Sequence, residues 1–92
     1  MGIGTALFQI KLMPESPEVD LAKLKTSSTE AVEKVGGKIT GFEERPIAFG
    51  LIALIANVRL SESIEGGLVE EALKNLEGIS SIDIIDYRRA IE

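Results

Sequence analysis

The sequence predicts an α+β sandwich: a four-stranded antiparallel sheet in the order 4-1-3-2 with two helices on one face, all 92 residues forming one domain. Three observations lead there. Two stretches repeat apolar residues at intervals of three and four, as a half-buried helix does. Four others alternate or are rich in β-branched residues, as strands do. Their order is β-α-β-β-α-β, two β-α-β halves joined through residues 45–51. That is the split β-α-β, or ferredoxin-like, arrangement, and right-handed crossovers place both helices on the same side of its sheet.

Residues 5–13 form the first strand, with Ala6, Phe8, Ile10 and Leu12 on one face and Leu7, Gln9 and Lys11 on the other. Met13-Pro14-Glu15-Ser16-Pro17 ends it. Ser16 is placed to cap a helix that begins at Pro17, with Glu18 and Asp20 in its positive first turn. Leu21, Leu24, Ser28, Ala31, Val32 and Val35 form the helix stripe, and Gly36-Gly37 stops it. The run Thr26-Ser27-Ser28-Thr29 has poor helix propensity, so this helix relies on packing. Residues 38–44 form a weak strand interrupted by Gly41, which suits a sheet edge.

Residues 51–60 form the strongest strand. Ile52, Leu54, Ala56, Val58 and Leu60 share one face, and Leu51, Ala53 and Ile55 make half of the other face apolar, so its place is central. The second helix spans about 68–76, with Val69, Ala72, Leu73 and Leu76 inward and Gly78 as its stop. Residues 79–87 form the last strand, and Arg88-Arg89-Ala90-Ile91-Glu92 a short tail. The sheet face without helices draws on Leu7, Gln9, Lys11, Ala53, Ile55 and Asn57, a mixed surface suited to solvent or to self-association.

Composition excludes most chemistry. The chain has no Cys and no His, which removes thiol chemistry, Ser-His-Asp and Cys-His arrangements and the commonest zinc ligand. No Gly-rich phosphate cradle is present. Glu43-Glu44, Glu70-Glu71 and the Asp83/Asp86 pair match no metal or acid–base spacing and read as solvated faces. A net charge of −5 argues against nucleic acid and anionic membrane as direct partners. Strand three offers Leu51, Ala53 and Ile55 where an RNA platform needs aromatics. The chain has no apolar run of about 18 residues for a membrane span, and Met1-Gly2-Ile3-Gly4 does not read as a secretory signal.

Two features remain. The segment Arg45-Pro46-Ile47-Ala48-Phe49-Gly50-Leu51 sets apolar Ile47 and Phe49 at a loop tip shaped by Pro46 and Gly50. Apolar loop residues usually anchor their own loop in the core, and the alternative is contact with a partner. Arg88 and Arg89 read either as a solvated terminus or as a basic contact. The loop and the tail need not be neighbours, so joint action requires a partner broad enough to touch both.

Several blocks carry a resemblance. Met13-Pro14-Glu15-Ser16-Pro17, Pro46-Ile47-Ala48-Phe49-Gly50-Leu51, Glu65-Gly66-Gly67, and Ile82-Asp83 with Tyr87-Arg88-Arg89 resemble the archaeal translation elongation factor 1-beta family in one register over nearly the whole chain. The central block is also similar to the Pro-Ile-Gly-Phe-Gly block of the eukaryotic counterpart. The resemblance implies a cytoplasmic guanine-nucleotide exchange factor, not an enzyme, that acts on the GTPase elongation factor 1-alpha and carries no cofactor of its own. It implies a partner surface of Pro46, Ile47, Ala48, Phe49, Gly50, Tyr87, Arg88 and Arg89, with Phe49 entering a pocket on the GTPase. Arg89 matches a Lys that disturbs the magnesium site in the eukaryotic domain; Arg is planar and never neutral, and suits phosphate or carboxylate. The other readings of this chain are a small-molecule-sensing regulatory module and a non-catalytic interaction subunit.

Overall fold

The computed structural model describes residues 4–64 and 66–90. Met1, Gly2 and Ile3, Glu65 of the Glu-Gly-Gly block, and the tail residues Ile91 and Glu92 lie outside the described residues. The element order is β1 (Thr5–Pro14), α1 (Leu21–Lys34), β2 (Lys38–Pro46), a short 3-10 turn (Ala48–Gly50), β3 (Ile52–Ser61), α2 (Gly66–Lys74) and β4 (Ile79–Ala90). The strands pair antiparallel as β2-β3-β1-β4, which is the expected 4-1-3-2 order read from the other edge. The fold is the ferredoxin-like α+β sandwich, with β3 and β1 central and β2 at an edge.

The core lies between the sheet and the helices. Ile10 and Leu12 of β1 and Leu54, Ala56, Val58 and Leu60 of β3 meet Leu24 and Val32 of α1 and Val69 and Leu73 of α2. In the hydroxyl-rich stretch of α1 the side chains bond back to the preceding turn, and packing against the core holds the helix. Ser28 Oγ donates to the Leu24 carbonyl at 2.7 Å and Thr29 Oγ1 to the Lys25 carbonyl at 2.8 Å, so the fully buried Ser28 is satisfied. At its end Gly36 takes φ +90, its N–H reaching the Glu33 carbonyl and the Gly37 N–H that of Val32. This is the double bond of a Schellman stop.

The start of α1 differs from the sequence reading. The helix begins at Leu21, and Asp20 caps it by accepting from the Ala22 and Lys23 N–H groups. Ser16 instead accepts from Glu18 in a preceding turn. The cause is a long-range tie: the Glu15 N–H donates to the Gly78 carbonyl at 2.8 Å, and Val19 packs beneath Gly78. The chain must first cross to the start of β4 before it can turn helical. At the other helix, α2 begins two residues earlier than expected, at Gly66, which lies so close to the Phe8 ring that a Cβ would stand 3.1 Å from Cζ.

The helix-free sheet face is less open than its composition suggests. Ala53 and Ile55 are fully buried. In register Ile55 lies between Glu43 and Lys11, and Ala53 beside Arg45, whose long side chains can shield them. Gln9 Nε2 donates to Asn57 Oδ1 at 3.0 Å across the central pair. Three register shifts interrupt the sheet: one beside Gly41 on β2, and two on β4 that leave Ile85 and Ser80 without a paired residue on β1.

Candidate functional site

The loop between β2 and β3 separates the two apolar residues that the sequence set together. Ile47 is half-buried, and its N–H donates to the Leu51 carbonyl at 2.8 Å, closing the loop at its base. Phe49 is 93% exposed. Of the two readings of these residues, anchoring in the core does not hold for Phe49. The backbone gives the reason: Phe49 takes φ 62 and ψ 28, a left-handed conformation rare for a bulky residue, followed by Gly50 at φ +77. Two consecutive left-handed residues turn the chain so tightly that the ring is carried outward. Such a conformation costs on the order of 1 kcal/mol or more, for a ring that gains nothing from the core. Pro46 ends β2, and exposed Ala48 begins the short turn. Pro46, Ile47, Ala48, Phe49 and Gly50 thus form one projecting loop.

Arg88 and Arg89 also depart from expectation, because they are not a tail but continue the strand that Tyr87 belongs to. β4 runs through Ala90, with Phe8 opposite Tyr87, Leu7 opposite Arg88 and Ala6 opposite Arg89. The backbone groups of β1 need ladder partners up to Thr5, and β4 supplies them. Alternation then sends the two arginines to opposite faces. Arg88 stands on the helix-free face, its Nε 3.2 Å from Asp86 Oδ2. Arg89 stands on the helix-bearing face, where its Nε donates to Glu62 Oε2. That hydrogen bond, and then the charge of Glu62, raise the Arg89 pKa further, so the guanidinium stays cationic. The exposed Tyr87 packs edge-on against Phe8, with ring centroids 4.9 Å apart. Nothing in the sequence pointed to Glu62, which lies 27 residues from Arg89 in a segment that reads as a plain loop.

The loop and the arginine lie at opposite ends of the sheet. Arg89 pairs with Ala6, which pairs with Leu60 near the end of β3, whereas the loop precedes Ile52 at its start. At the rise of an extended strand this separation is about 30 Å, within the longest molecular dimension of 48 Å. The structure does not bring the two together. A groove of about 580 Å³ lies between the start of α1 and Gly78 and includes none of residues 46–50 or 87–89. Among the described residues no three carboxylates gather as a metal site, and no helix is long and apolar enough to cross a membrane. What the geometry offers is a hydrophobic projection at one end, an oriented cation at the other and a rigid sheet between: the equipment of a protein that acts by contact with a second protein.

Comparison with known proteins gives that class its identity. The chain belongs to the EF-1 guanine nucleotide exchange domain family, whose model matches residues 7–90. It is 43% identical over 89 residues to elongation factor 1-beta of Methanothermobacter thermautotrophicus, covering 95% of this chain and 98% of that protein. It is 43% identical over 83 residues to elongation factor 1-beta of Haloarcula marismortui, covering 89% and 93%. With elongation factor 1-beta of Methanocaldococcus jannaschii the identity is 37% over 90 residues, covering 96% and 100%. Among solved structures, the C-terminal domain of the MgtC protein from Mycobacterium tuberculosis matches with a TM-score of 0.60 at 12% identity, covering 97% of this chain and 89% of that one, a likeness of fold alone. These relationships support a role in translation elongation as a guanine-nucleotide exchange factor.

Proposed function

We propose that the chain, as a single exchange domain in the cytoplasm, accelerates nucleotide release from elongation factor 1-alpha, the GTPase that brings aminoacyl-tRNA to the ribosome. The observation that carries this reading is Phe49, a bulky ring held 93% exposed on left-handed backbone at a loop tip. Phe49 enters an apolar pocket of the GTPase, and Pro46, Ile47, Ala48 and Gly50 shape the loop that delivers it. At the other end Arg89, with Tyr87 and Arg88 beside it, meets the GTPase near its phosphate and magnesium site. The GTPase is the broad partner that two contacts about 30 Å apart require.

No covalent step is needed. The exchange factor binds the nucleotide-free GTPase more tightly than the loaded one, and by reciprocity of binding free energies it weakens the nucleotide to the same degree. Phosphates and Mg²⁺ hold the switch regions of a GTPase, so a cation brought to that site competes for the contacts that retain GDP. Release of either nucleotide is accelerated, and the surrounding GTP excess sets the direction. The chain itself needs no cofactor, and its acidic surface gives nucleic acid no direct role. The test is release of fluorescent GDP from elongation factor 1-alpha on mixing with this protein. Release accelerated at substoichiometric protein is the expected result, and an unchanged rate would overturn the reading.

A further inference from the structure

The side-chain hydrogen bond of Arg89 is made to Glu62, and that partner is closely seated. The Arg89 backbone is fixed in the ladder opposite Ala6, while its side chain stays 64% exposed and offers Nε to Glu62. The Glu62 side chain is only 24% exposed, although it stands just past the end of β3. Its N–H donates to the Gly4 carbonyl at 3.0 Å, and its carboxylate lies over Gly4 so closely that any Cβ there would overlap it. Glycine at position 4 is therefore the seat of the carboxylate. The hydrogen bond to Glu62 engages Nε, and the two Nη groups carry four further N–H donors.

A long, exposed Arg side chain loses rotamer freedom when a complex orders it, and part of that loss is avoided if it is ordered beforehand. We propose that Glu62, seated over Gly4, is a positioning residue for nucleotide exchange, holding the Nε edge of Arg89 so that its Nη edge meets an oxyanion of the GTPase. This rests on Arg89 taking part in exchange. Glu62 touches neither nucleotide nor partner in this role; it acts only through the guanidinium.

The experiment measures fluorescent-GDP release from elongation factor 1-alpha with Glu62→Ala, Glu62→Gln and Gly4→Ala, each combined with Arg89 and with Arg89→Ala. Gly4→Ala displaces the carboxylate without altering charge, and Glu62→Gln keeps an acceptor oxygen. With Arg89 present, Glu62→Ala and Gly4→Ala each slow the promoted release by about two- to tenfold, the range for ordering one long side chain. Glu62→Gln restores a large part of the loss. In the Arg89→Ala background none of the three has a further effect, a result that a merely structural role would not give. An equal loss in both backgrounds overturns the proposal, as does faster release by Glu62→Ala, which would make the pair a restraint on Arg89. Should Glu62→Ala fail to fold, Gly4→Ala and Glu62→Gln decide the matter in the same way. An Arg89→Ala chain that promotes release at the full rate overturns the exchange role of Arg89 and this proposal with it, and leaves the Phe49 contact standing.

Discussion

Phe49→Ala separates a docking side chain from a structural one. Phe49 is 93% exposed and the loop is closed without its ring, by the Ile47 N–H on the Leu51 carbonyl and the Leu51 N–H on that of Ala48. Truncation removes almost no buried area, and alanine is no more strained than phenylalanine at φ 62. The expected change in stability is within about 0.5 kcal/mol, the range of surface substitutions. On docking, full burial of the ring contributes about 2–3 kcal/mol. Its loss should weaken the complex with nucleotide-free elongation factor 1-alpha by about 30- to 150-fold. The assay is fluorescent-GDP release at subsaturating exchange factor, paired with a thermal melt of the free protein. An unchanged release rate would refute the docking role. A melting temperature lowered by several degrees would show that the ring supports the fold.

The remaining predictions concern the frame around that loop and the charge at the other end. Gly50→Ala places a Cβ at φ +77 and should cost about 1 kcal/mol, seen as a fall of about 4–8 °C in melting temperature. Asp20→Ala should cost about 1 kcal/mol through loss of the α1 cap, and Ser16→Ala much less; denaturant melts of both variants rank them. The pairing with Glu62 raises an already strongly basic pKa of Arg89. Its stabilisation is therefore fully present below the unfolded-state pKa and is lost only as pH rises through the folded-state value. Promoted release should show no step attributable to Arg89 between about pH 6 and 9, read from a pH–rate profile corrected for the GTPase alone.

What was legible in the sequence was what periodicity controls. The stripe of α1, the two apolar faces of β3 and the Gly41 interruption of β2 led to the sheet order and to a central β3, because local pattern and burial agree there. Failures came where a distant partner decided the outcome. Ser16 has the chemistry of a cap, but the tie from Glu15 to Gly78 moves the helix start to Asp20. Arg88 and Arg89 read as a tail because two charges hide a strand that β1 nevertheless requires. Ala53 and Ile55 suggested an exposed face that their long neighbours Arg45, Glu43 and Lys11 can cover. The exposure of Phe49 depends on two successive left-handed residues, of which only Gly50 announced itself.

A contact made at both ends of the sheet is tested most directly by fluorescent-GDP release from elongation factor 1-alpha with Phe49→Ala, Arg89→Ala and the double variant. The two residues are about 30 Å apart, so their effects should be independent. Each single variant is predicted to slow promoted release, and the double variant by about the product of the two factors. A rate equal to that of the unaltered protein in either single variant would contradict a two-ended contact.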